Sequence, residues 1–214
     1  MRTDPFSDTL GFLLGQHPDQ LGLGFFGYLL TAFFWALLIG SVAIAVRGWH
    51  ADPSQRTAAH LWTWTARTMM GAMFFQGALW KLPFPVSGGF AYWTGLIGEH
   101  AAFGWHRALA TDVLVPLLPL VQGVAFFSEV FFAISLMLGL GVRLSSLLAI
   151  GFVLQLWLGL YRLDIEWPWL FWFMIFTLGW FITHRAGRSL GLDGMLIREA
   201  RVPAKYARLH SLAS

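Results

Sequence analysis

Cysteine is absent from the 214-residue chain. Its absence excludes thiol–disulfide relays, persulfide carriage, iron–sulfur ligation and thiolate zinc sites within this subunit. Charge is nearly as scarce. Asp, Glu, Lys and Arg make up 12% of the residues, against about 25% in an average soluble domain, too few to cover a globular surface. Internal repeats and low-complexity stretches are also missing. The basic residues keep to segments that flank apolar runs, which argues against a nucleic-acid partner.

What is present is apolar: 57% hydrophobic residues, with 20 Phe and 12 Trp. The expected solvent is a lipid bilayer, and the expected fold class is an all-α integral membrane protein. Five segments fit a spanning length of about 17–25 residues: Leu21–Val46, Ala58–Leu82, Val113–Leu140, Ser145–Tyr161 and Trp167–Thr183. The first contains "AIA" (43–45), which has the look of a signal cleavage site. Its apolar run, however, well exceeds the roughly 7–15 residues of a signal core, so it reads as a retained helix.

Charge sets the direction. With five spans, Arg47, Arg56, Arg143, Arg185, Arg188, Arg198, Arg201, Lys205 and Arg208 fall on one side. Arg2, Arg107 and Arg162 fall on the other, with Lys81 at its edge and most of the carboxylates. The positive-inside rule then predicts an outer N-terminus and a cytoplasmic C-terminus, in a multi-pass protein of the inner (cytoplasmic) membrane. "GLGVR" (139–143) is too short to be more than a tight turn between antiparallel helices. In "DIEWPWLFW" (164–172), Pro168 and Glu166 suit a helix start, and Trp167, Trp169 and Trp172 suit an aromatic belt. The apolar segment 82–112 predicts an interfacial or re-entrant helix.

Arg67 and Glu129 are the formally charged residues deep inside spans. Arg67 lies about 16 Å from Arg56 along a helix, and Glu129 about 21 Å from Arg143. An arginine side chain covers the difference, and either charge alone costs about 2.5–3.5 kcal/mol on insertion scales. The sequence therefore predicts that they pair. His60, Arg67, Phe74 and Lys81 recur every seven residues, as do Gln122 with Glu129 and Gln155 with Arg162. Three helices thus offer polar stripes to a common interior. Two readings fit: an interhelical network that pins the bundle, and an apolar pocket with convergent polar groups for a quinone or another small ligand. Glu99, His100 and His106 fit no metal-ligand spacing. His60 and His184 read as boundary histidines, so neither metal nor haem is expected. At the boundary, Lys81 beside Trp80 is expected to snorkel.

"RTMMGAMFFQGALWKLPFP" followed by "FFSEVFFAISLMLGLGVRLSSLLA" resembles the DoxX superfamily of four-helix membrane proteins. "EWPW" and "GRSLGLDGML" look like its DoxD branch, the small subunit of thiosulfate:quinone oxidoreductase. The resemblance covers about residues 58–197. It leaves 1–57 as an extension with an extra transmembrane helix and 198–214 as a basic cytoplasmic tail. It implies an antiparallel four-helix bundle plus that helix, in a quinone-linked oxidoreductase that takes electrons from thiosulfate or another sulfur compound. Arg67, Trp80, Lys81 and Glu129 are the positions it marks.

On this reading Glu129, with Arg67, handles protons. A quinone sits near Gln76, Trp80, Gln122 and Glu129, with Gln155 on the facing stripe. Lys81 and Arg107 attract the anionic sulfur substrate. Other membrane or extracytoplasmic subunits are expected partners. The competing expectation is a non-catalytic subunit of a larger respiratory or photosynthetic complex, since "GFFGYLLTAFFWALLIGS" (24–41) offers small residues for helix contacts. A small-solute transporter fits less well, because paired broken helices are not evident.

Overall fold

The computed structural model describes residues 4–82, 85–164, 167–199 and 211–214, and among them the regular structure is helical, without strands. Helices α1 (Pro5–Leu13) and α2 (Pro18–Leu21) precede the long α3 (Phe25–Ala51). Then come α4 (Ala58–Leu79), α5 (Gly88–His100), α6 (Gly104–Leu109), α7 (Leu118–Leu138), α8 (Val142–Gly159), α9 (Pro168–Thr183) and α10 (Leu192–Arg198). The helix starts follow local chemistry. Asp4, Thr57 and Ser87 cap α1, α4 and α5 through backbone N–H groups, and Pro168 begins α9, where its missing N–H costs nothing.

Among the described residues, 3 helices are long and apolar enough to cross a membrane: α3, α7 and α8. The other two expected spans are helical but differ. α4 has 22 residues, yet Thr63, Thr65, Arg67, Thr68 and Gln76 make it too polar to qualify by composition. α9 is apolar but only 16 residues long. The third span also starts later than expected. Residues Ala110–Leu114 form a π turn, and α7 begins at Leu118 with proline in its first turn.

α4 lies along α7 and α8 along α9, each antiparallel, while α3 flanks the α4–α7 pair. Close approach of α4 to α7 depends on Gly71, where an added Cβ would come within 3.1 Å of the Ala133 carbonyl. Phe34, Phe75, Leu79, Phe132, Leu136, Leu178 and Phe181 fill the core. The N-terminal extension is integrated rather than separate. Ser41 on α3 donates to the Met137 carbonyl at 2.6 Å, and buried Gln20 donates to Phe12 O and Thr31 Oγ1 at 3.0 and 2.9 Å.

The bundle has two unlike ends. At the turn end, Gly139 ends α7 in the left-handed region at φ +72° and the chain re-enters α8. At the loop end, α5 and α6 fold back over α8 as the apolar segment predicts. Ala102 N–H donates to Leu158 O at 2.8 Å, and Arg162 N–H to His100 O at 2.9 Å. Ile97, Ala101, Ala110 and Leu160 form a second small core there. Trp167 and Trp169 are exposed. The acidic start at Glu166 and the tail cations Arg201, Lys205 and Arg208 lie outside the described residues, as does Arg2.

Candidate functional site

Glu129 has a buried cation partner, but the partner is not Arg67. Lys81 Nζ donates to Oε1 and Oε2 of Glu129 at 2.6 and 2.7 Å. Both residues are buried, at 8% and 4% exposure. Lys81 therefore does not snorkel. A carboxylate held in the interior draws the ammonium inward, because breaking such a pair strands a charge in low dielectric. Gly77 makes room, since a Cβ there would press on Glu129 Oε1 at 3.2 Å.

Beside the pair lies a half-open cavity of about 420 Å³, within the roughly 300–1,000 Å³ of small-molecule sites. Trp80, Phe90, Trp93, Val121, Phe152 and Phe171 supply much of its apolar wall. Its polar wall groups are Lys81, Thr94, Ser128 and Gln155. Thr94 is occupied by its own helix, donating to Phe90 O at 2.8 Å. Lys81 links cavity and carboxylate: the residue lines the wall, and its ammonium lies 4.6 Å from the Trp80 ring centroid and donates to Glu129. An ammonium has three donors. Two go to Glu129, which leaves one uncommitted to the carboxylate.

Gln155 is the second polar anchor, and it too is backed by a titratable side chain. Its amide nitrogen lies 3.5 Å from His106 Nε2. His106 is 1% exposed, and its Nδ1 has no hydrogen-bond partner. Burial lowers its pKa below the ordinary 6.5, so the folded state favours neutral imidazole. Its stabilisation is then complete above pH 6.5 and lost as pH falls through the lowered folded value. Melting curves of the protein in detergent should show stability falling as the buffer is acidified below pH 6.5. His106→Gln should flatten that slope; an unchanged slope would remove His106 as its origin.

Arg67 is the largest fully buried side chain, at 0% exposure, and serves the turn end instead. Its guanidinium donates to the Leu136 and Met137 carbonyls at the end of α7, satisfying groups that a helix C-terminus leaves open. It also reaches Ser189 O at 3.5 Å. Gly139 and Gly191 leave space for it, since a Cβ on either would crowd the guanidinium. The charge acting on Arg67 is Asp193. Asp193 is itself fully buried and accepts from Gly141 N at 2.9 Å and Val142 N at 3.3 Å. An aspartate far along the chain thus caps α8 and faces the buried arginine. This clasp escaped the sequence reading; the signal was a lone Asp in an otherwise basic stretch.

The remaining candidates divide. Trp80, Lys81 and Gln155 line the cavity. Gln122 is buried but engaged, donating to Leu82 O at 2.9 Å and accepting from Ser87 N at 2.9 Å. Its role is to hold the chain as it leaves α4. Gln76 is exposed on the flank of α4, off the face that meets α7, and Arg107 is not in the cavity wall. Lys81 and Arg107, expected to attract an anion together, do not share this wall: Lys81 lines it while paired with Glu129, and Arg107 is not among its residues. Arg162 is exposed and donates to Ala102 O at 3.2 Å. His60 pairs with Ser189 Oγ at 2.9 Å, and His184 lies 3.1 Å from Trp180 O of its own helix. Glu99 and His100 meet at 3.7 Å, while His106 turns away to Gln155.

Fold and site together define an all-helical, membrane-associated protein with a cavity whose wall carries a buried ion pair. No family model matches the chain, and neither a curated protein nor a solved structure matches it.

Proposed function

We propose that the chain is a five-span membrane subunit of a quinone-linked oxidoreductase, with the quinone ring bound in the α4–α9 cavity. One observation carries the reading: two polar anchors on a single apolar cavity, Lys81 and Gln155, are each backed by a titratable group, Glu129 and His106. A quinone has two carbonyl oxygens and, when bound, takes two electrons and two protons. Lys81 supplies an N–H to one oxygen position and Gln155 holds the other end of the ring. The Lys81 ammonium can give its proton to that oxygen as the ring is reduced, with Glu129 stabilising the charge and helping the amine regain a proton, while Gln155 only donates a hydrogen bond and His106 fixes its amide. Apolar walls exclude water from both positions.

The turn end gathers Arg47, Arg143, Arg185, Arg188 and Arg198, which supports placing it at the cytoplasmic face. The resemblance to the DoxX superfamily supplies the electron donor of the proposal, thiosulfate or another sulfur compound.

Short-chain quinones added to the purified protein should quench fluorescence from Trp80 and Trp93 at the cavity. Lys81→Met combined with Glu129→Leu should weaken that binding by about tenfold or more. Unchanged binding in a folded double variant refutes the site. Thiosulfate-dependent quinone reduction in membranes tests the donor separately, and a rate unaffected by deleting the protein removes it.

The competing function, a non-catalytic subunit, draws support from α3. Phe25, Phe26, Ile39 and Val46 leave one side of that helix exposed and apolar. Isolation as a lone monomer with quinone bound would count against it.

A further inference from the structure

The corner where α8 begins and α9 ends holds three arginines and a groove. Arg143 lies in the first turn of α8, and Arg185 and Arg188 follow α9. A cation in a first turn meets the positive end of the helix dipole. Burial pushes the Arg188 pKa down, and repulsion from Arg185 and Arg143 adds to it, with Asp193 as the opposing charge. Asp193 does not balance the cluster, because its single charge also faces Arg67. Arg143 Nη1 reaches Ser211 O at 3.5 Å and Arg188 Nη2 reaches Ser214 Oγ at 3.1 Å, both neutral acceptors. The Nε atoms of Arg143 and Arg188 are buried without any partner. Unanswered buried donors on clustered cations call for an anion.

The adjoining groove says which anion. It has a volume of about 300 Å³ and is lined by Arg143, Leu144, Leu147, Ile182, Leu212 and Ala213. Leu144 and Leu147 are 48% and 60% exposed along the outer side of α8. A free phosphate has no use for that apolar wall, whereas an acyl chain does. The corner also sits at the end of the apolar helices, the depth at which lipid headgroups meet basic side chains.

We propose that this corner binds an anionic phospholipid, its phosphate among Arg143, Arg185 and Arg188 and one acyl chain along Leu144, Leu147 and Ile182. Bidentate guanidinium–phosphate contacts give the headgroup preference, and the groove fixes one lipid rather than a diffuse annulus. The site lies at the turn end and is independent of the quinone cavity.

Native mass spectrometry of the delipidated protein decides it, with phosphatidylglycerol and phosphatidylcholine as probes. Phosphatidylglycerol should bind about tenfold more tightly. Arg143→Gln with Arg188→Gln should erase that preference. Leu147→Trp, which fills the groove and spares the arginines, should weaken phosphatidylglycerol severalfold and also reads the groove if the arginine variant does not fold. Equal affinity for the two lipids in the wild-type protein overturns the proposal, as does a preference that survives the arginine substitutions. Leu147→Trp binding phosphatidylglycerol like the wild type overturns the groove. Complete displacement of phosphatidylglycerol by millimolar inorganic phosphate would make this a free-anion site and overturn the lipid as occupant.

Discussion

Lys81→Met is expected to cost about 3–5 kcal/mol of stability, because it strands the Glu129 carboxylate in the interior. The same change paired with Glu129→Leu should recover most of the loss, since replacing both partners of a buried pair by apolar groups is often neutral or better. Unfolding titrations in mixed micelles measure both. The cycle also separates two roles that the sequence left entangled. If the pair only ties α4 to α7, the double variant regains stability and function together. If Lys81 and Glu129 also serve the cavity, it regains stability while quinone binding stays lost. A Lys81→Met protein within about 1 kcal/mol of wild type would mean that the pair holds nothing.

Asp193→Asn is the second large effect, expected near 3 kcal/mol. The substitution keeps the side-chain volume but removes the charge that faces Arg67 and weakens two charge-assisted bonds to Gly141 and Val142. Space is no remedy, because Gly187 packs directly on the carboxylate. Hydrogen exchange should localise the damage to the α7–α8 turn and α10, leaving the loop end protected. Damage spread evenly over the bundle would show that the clasp is not a local device.

The sevenfold stripe on α4 was legible and proved to be the face that meets α7. Phe74 packs edge-on against Phe132 at 5.2 Å and Lys81 reaches Glu129, both partners on α7, while His60 at the start of the stripe reaches Ser189 beyond α9. What periodicity could not give was the register between the two stripes. The depth estimate took Arg56 and Arg143 as level, but Arg56 is folded back onto Trp49 O and His50 O at the end of α3. Arg67 is level with Met137 instead, eight residues from Glu129, an offset of about 12 Å along the helix. The carbonyls that claim Arg67 are backbone groups, and no side-chain pattern announces them. Of the Gln155 stripe, Gln155 lines the cavity whereas Arg162 is exposed. His106 behind Gln155 was not legible, because a single histidine in a loop carries no spacing to read.

The Gly141–Asp193 bond joins positions separated by 52 residues. During synthesis, the α7–α8 hairpin leaves the ribosome well before the residue that secures its corner. Until α9 has been made and residue 193 emerges, the corner must rely on water or lipid headgroups for its open N–H groups, and Arg67 waits without its counter-charge. The hairpin is thus drafted early and sealed late. Chains arrested between residues 160 and 190 should carry a protease-sensitive corner that the finished protein lacks.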